Sequence, residues 1–203
     1  MGFYFIVDQP LGKSVVLSQV DSAWADADFH VEVAIKYGFE YRYYRRNERE
    51  PVISASYEFG PSSFGMAFHP VKHEHFAVYG SDLLTKVFAE VCIKSNAALG
   101  RTFGESLYGT VKHEEVASSL QFVDWYQYLS KSIVQRLGGT EFLKQGPFFK
   151  VEEYANGACG IWLAPSPDQF LGRQRAAKYL GIELPKLYGK NPITGNPIGI
   201  SWN

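Results

Sequence analysis

Three imidazoles and a carboxylate lie within seven residues, in His69-Pro70-Val71-Lys72-His73-Glu74-His75. Side chains of this kind bind zinc or nickel when they converge on one point. On an extended backbone His73 and His75 share a face, and His69 returns across a turn. A metal-dependent enzyme using His69, His73 and His75 is therefore the chemical reading of the stretch. The spacing matches no established ligand frame, however, and no glutamate sits in a helical HExxH arrangement. A polar loop between edge strands has the same composition. That reading outweighs the first, so no metal site, no catalytic residue and no cofactor is expected.

Two serines stand between glycines, in Gly60-Pro61-Ser62-Ser63-Phe64-Gly65 and Gly104-Glu105-Ser106-Leu107-Tyr108-Gly109. Each has one residue too many for a nucleophile elbow, and turn residues explain both. Neither a phosphate-binding loop nor a dinucleotide fingerprint is present in the sequence. Tyr41-Arg42-Tyr43-Tyr44-Arg45-Arg46 interleaves rings with cations, as surfaces that stack bases do. Arg49 lies between Glu48 and Glu50, though, and the formal charge of the chain is −1. An aromatic ladder ending in a charged turn is the better reading, with no direct nucleic-acid contact. Glu114-Glu115 and Glu152-Glu153 are adjacent carboxylates, suited to a solvated face.

The elements that position these residues follow from periodicity. Hydrophobic residues make up 46% and charged residues 20%, a globular balance that argues against disorder. The aromatic share of 16% favours strands and permits a binding surface. Residues 1–8 read as a first strand and not as a signal peptide. No run approaches the roughly 20 apolar residues that span a bilayer. Cys92 and Cys159 sit in apolar patterns and read as buried thiols in a reducing compartment. A cytoplasmic protein without membrane contact is the plain expectation.

Alternation through Phe29, Val31, Val33 and Ile35, resumed at Phe39, Tyr41 and Tyr43, predicts half-buried strands. Further strands are expected at 52–59, 64–68 and 75–79, giving an antiparallel meander. From Ser81 the period changes, and Leu83, Leu84, Val87, Phe88, Val91 and Cys92 predict a helix that Gly100 closes. A short strand is placed at 106–112 and a second helix at 122–137, stopped by Gly138, with one more turn at 140–145. Asn156-Gly157 between apolar runs predicts a hairpin with a type I′ turn. A last helix covers 172–180. Trp125, Tyr128 and Trp162 are assigned to the core. The fold class is α+β: an antiparallel meander sheet with two or three packing helices and a C-terminal hairpin-helix unit. One domain spans 1–203, with 185–203 as an extended tail.

The order of segments adds a further indication. Tyr41, Arg42, Arg45 and Arg46 come first, followed by a serine-rich meander and the helix through Leu83 and Cys92. Then come Val123-Asp124-Trp125-Tyr126-Gln127-Tyr128-Leu129, the hairpin entering at Pro147 and crossing Gly157, Pro165-Ser166-Pro167-Asp168-Gln169-Phe170, and a helix holding Ala176, Ala177 and Leu180. This order resembles the immunity protein 52 family and related immunity proteins of type VI and other polymorphic toxin systems. Such chains commonly carry a Gly-Trp-x-x-Tyr-Leu segment, a glycine-centred hairpin and a terminal helix ending near a leucine. The resemblance runs from about Phe39 to Leu184. Asp124 stands where a glycine is common, and the leading helix of longer relatives is expected to be missing.

What the resemblance implies is a non-catalytic protein that occludes a cognate toxin, a nuclease in several such systems. The toxin-binding candidates are Arg45, Arg46 and Arg49 in the charged turn, His73 and His75, and Tyr188 and Trp202 in the tail. The rival classes are the metal-dependent enzyme and a phage-associated structural or assembly protein.

Overall fold

The alternation at the start of the chain folds as two antiparallel strands, β2 (Phe29–Ile35) and β3 (Phe39–Arg45), paired from Phe29↔Arg45 to Ile35↔Phe39. In this computed structural model the described residues are 3–8, 13–35, 39–45, 49–59, 63–70, 73–103, 124–165, 172–182, 189–190 and 197–198. β4 (Ile53–Phe59) and β5 (Ser63–Pro70) continue the meander, as the turn residues between them predict. β1 (Phe3–Asp8) then lies beside β5, and its other side takes β6 (Leu99–Phe103). β7 (Tyr126–Leu129), β9 (Cys159–Trp162) and β8 (Lys150–Glu153) complete a nine-stranded sheet in the order β2-β3-β4-β5-β1-β6-β7-β9-β8. Every pairing in it is antiparallel, so the α+β class holds.

Two helices cover one face. α1 (Lys13–Asp26) buries Val20, Ala23 and Trp24, with Leu17 and Ala27 packed beside them. That is one helical stripe at spacings of three and four. It contradicts the expectation that no leading helix is present. α2 (His73–Lys94) buries Leu84, Val87, Phe88, Val91 and Cys92 on the predicted stripe. It begins earlier than expected, so residues 75–79 form its first turns instead of a strand. Short apolar runs read alike in both states, and Gly80 is carried within the helix instead of ending it. Ser81 lies inside the helix and does not cap it.

The opposite face carries three short helices over β6, β7 and β9. They are α3 (Lys131–Arg136), α4 (Thr140–Lys144) and α5 (Arg173–Tyr179). Their inward residues Ile133, Val134, Leu143, Ala176 and Ala177 pack with Leu99, Leu129 and Ile161 of the sheet. α3 and α5 end in the same hydrogen-bonded motif. The amides of Gly138 and Gly139 donate to the carbonyls of Gln135 and Val134, and those of Gly181 and Ile182 to Lys178 and Ala177. Gly138 and Gly181 hold positive φ, as the stop signals predict.

The expected helix at 122–137 is overturned in its first half. Tyr126–Leu129 is a strand, and only Lys131–Arg136 is helical. All four residues of β7 are buried because both faces of the sheet are covered there. Burial on both sides removes the alternation that marks a strand. Gly100 likewise lies within β6 and does not terminate a helix; α2 stops at Lys94.

The hairpin at Asn156-Gly157 forms, but not with a type I′ turn. Gly157 has φ +79, whereas Asn156 is absent from the residues with positive φ. The Gly157 amide donates to the Tyr154 carbonyl and the Tyr154 amide to that of Ala158. This is a three-residue loop with its left-handed position at the glycine. The expected strand at 106–112 lies outside the described residues. Within 185–203 the described residues form a small antiparallel pair, β10 (Gly189–Lys190) with β11 (Pro197–Ile198). No helix among the described residues is long and apolar enough to cross a membrane.

Candidate functional site

β6, β7, β9 and β8 hold the densest side-chain chemistry described, and it differs between the two faces. On the α2 side Tyr126 stacks at a tilt on Trp162, with centroids 4.5 Å apart, and meets Phe88 edge-on. The hydroxyls of Tyr126 and Tyr154 share a hydrogen bond of 3.0 Å. Asn156 donates to the Tyr128 hydroxyl at 3.1 Å, while its side-chain oxygen accepts from the Ala158 amide. The turn is thereby tied to the core by the one residue whose side chain does both. Lys150 lies over the Trp162 ring at 4.4 Å.

These groups are held away from ionisation at neutral pH. Burial pushes Tyr126 and Tyr154 up, and pushes Tyr128 up to about 12. Burial also raises both thiols, Cys92 strongly, and both cysteines are free and buried. A raised thiol is a poor nucleophile. The rings and hydroxyls here pack against and orient one another.

On the helical side a buried ionic cluster joins three distant segments. Arg101 Nε donates to Asp124 Oδ2 at 2.7 Å, and an Arg173 guanidinium nitrogen lies 3.7 Å from Asp124 Oδ1. The three side chains are at most 10% exposed. Burial lowers Arg173 from its usual range; Asp124 opposes that shift and Arg101 adds to it. Thr102 completes the junction. Its hydroxyl donates to the Tyr126 carbonyl and accepts from the Tyr126 amide, each at 3.0 Å. Sequence reading missed this cluster because Arg101, Asp124 and Arg173 share no local pattern.

The residues singled out from the sequence gather at the other end of the sheet. Register aligns Tyr43 with Ile53 and Ile53 with Pro70. The end of β3 therefore shares one edge of the molecule with the start of β4 and the passage from β5 into α2. Arg45 and Arg49 are exposed there. His30 is exposed beside them and stacks on Tyr44 with centroids 5.2 Å apart. His73 and His75 occupy the first turn of α2. Positions two apart on a helix do not share a face, which corrects the shared strand face expected for them. His69 lies on β5, opposite Ser54. No group of three or more metal-ligating side chains occurs among the described residues. Arg46, Tyr188 and Trp202 lie outside the described residues.

No family model matches this chain, and no curated protein matches it. Among solved structures it is similar to a T6SS protein of Pseudomonas aeruginosa, at 9% identity and a TM-score of 0.49. The match covers 89% of this chain and 72% of that one. A likeness at this level fixes neither a family nor a function.

Proposed function

We propose that this chain is an immunity protein. It binds a co-encoded bacterial toxin in the cytoplasm of the producing cell and blocks it by occlusion, with no chemistry of its own. The observation that supports this most is the surface at the β2–β3 end. There Arg45 and the stack of exposed His30 on half-buried Tyr44 are presented on paired strands, with exposed Arg49 in a bend beyond them. Aromatic and guanidinium groups dominate binding hot spots, since they supply large contact at low entropy cost. The neutral, buried tyrosines and thiols suit a scaffold. The resemblance in segment order supplies the class of partner. The metal-enzyme reading loses the strand that would have aligned His73 with His75.

Co-expression with the toxin encoded beside this gene tests the reading. Growth should be restored, and the two proteins should co-purify as a stable complex. A His69→Ala, Ser62→Ala, Ser106→Ala variant should still protect, because an occluding inhibitor needs contact anchors and not proton-transfer groups. Rescue without any complex, lost in that folded variant, would mean an enzyme that modifies the toxin or its target.

A further inference from the structure

The outer surface of α3, α4 and α5 is strongly cationic on a chain whose formal charge is −1. The inward residues of the three helices share one apolar cluster, so their outward residues face the same way. Those outward positions expose Lys131, Arg136, Lys144, Arg175 and Lys178, against a single exposed acid, Glu141. Glu141 is paired with Lys144 at 2.8 Å. Lys131, Arg175 and Lys178 have no ion-pair partner among the described residues. Glu153, exposed at the end of β8 and near Lys144, adds a second acid. Five cations against two acids still leave a net positive face, which steers and holds an oppositely charged surface.

A second observation points to a protein on this face. Phe149 is 58% exposed, a large apolar side chain left in solvent. It follows directly on Phe148, which packs edge-on against Tyr179 of α5 with centroids 6.2 Å apart. Its amide is held by the Trp162 carbonyl at 2.8 Å, so the ring is presented from fixed backbone. Along β8, Lys150 turns to Trp162 on the α2 side while Val151 joins the cluster beneath α3–α5. Phe149 lies in the bend just before β8, next to the residue that packs on α5, and so borders the face of the short helices. An exposed ring bordering a charged field has the composition of an interface, with an apolar anchor and a polar rim.

We infer that the α3–α5 surface, with Phe149 at its border, is the face that docks the toxin. Its counterpart is an acidic protein surface containing an apolar recess. The inference rests on the immunity reading and deepens it, since it adds this face to the contact at the β2–β3 end. The charge at that end is mixed: Glu50 follows Arg49, and both are exposed.

Titration calorimetry against the purified toxin encoded beside the gene, at about 50 mM and about 300 mM salt, tests it. A Lys131→Glu, Arg175→Glu, Lys178→Glu variant should bind about 100-fold more weakly at low salt, and Phe149→Ser about 10-fold more weakly. Lys86→Glu, at an exposed cation of α2 outside both surfaces, should change affinity by less than about 3-fold. Circular dichroism checks that each variant folds. If the triple reversal does not, the corresponding triple glutamine variant carries the test, with about a 10-fold loss expected. Unchanged affinity in the folded variants, with the wild type bound, would overturn this docking face and leave the immunity reading standing. A wild type that neither binds the toxin nor protects would overturn both. Binding instead to duplex DNA or to phosphatidylserine vesicles, lost in the triple reversal, would show that the cations serve a polyanion and not a protein.

Discussion

At the scale of single residues, Asp124 carries the most consequence. It is 2% exposed and faces two guanidinium groups that come from β6 and from the start of α5. Charges taken this far from water are tolerated because each meets the other. Removing the carboxylate leaves the buried cations without it. Asp124→Ala should therefore destabilise the fold by about 3–5 kcal/mol, read as a fall in the urea midpoint at unchanged slope. Asp124→Asn should cost somewhat less, because an amide oxygen still accepts the Arg101 hydrogen bond. A loss below about 1 kcal/mol for the alanine variant would show that the cluster adds nothing beyond packing.

At the scale of elements, close approach of helix to sheet decides what is tolerated. A Cβ added to Gly100 would lie 2.6 Å from Cys92 Sγ and 2.7 Å from Phe88 Cζ. Both neighbours are fully buried in α2. Gly100→Ala should cost about 1–3 kcal/mol through overpacking, measured by thermal or urea unfolding. Pairing it with Phe88→Leu should recover part of that loss, whereas additive losses would place the strain elsewhere.

The same two residues show what the sequence made legible. The stripe through Phe88 and Cys92 was read correctly, because a helix covered on one face keeps its period. Gly100 was misread as a stop, because close packing and chain termination both select glycine and only tertiary contact tells them apart. β7 was misread because Tyr126 and Gln127 are buried on opposite faces, which erased the alternation. α1 passed unnoticed among its polar serines, glutamine and aspartates. His73 and His75 alternate as on a strand, yet they fall on α2, while His69 lies on β5. The hairpin and α5 were plain because their glycines mark local geometry.

At the scale of the whole molecule, one sheet serves two cores. The cluster under α1 and α2 runs without interruption from Phe29 on β2 to Trp162 on β9. The second cluster, under α3–α5, is built on β6, β7 and β9 and shares β7 and β9 with the first. β1 lies between the meander and the later strands and pairs with both. Neither half can lose its packing without exposing residues of the other, which is the condition for a single cooperative transition. Trp24 reports on the α1 half, where it stacks on Tyr43 at 4.3 Å. Trp125 and Trp162 report on the other end of the sheet, where both are buried. Urea unfolding followed by tryptophan fluorescence and by far-ultraviolet circular dichroism should give one coincident midpoint. In a Trp202→Phe background, which leaves Trp125 and Trp162 as the remaining reporters, Trp24→Ala should move that midpoint down as a whole, by about 3–5 kcal/mol in stability. If fluorescence from those two residues instead kept its wild-type midpoint while the dichroism split into two steps, the halves would unfold separately. The continuous aromatic cluster would then be a seam between two units and not a shared core.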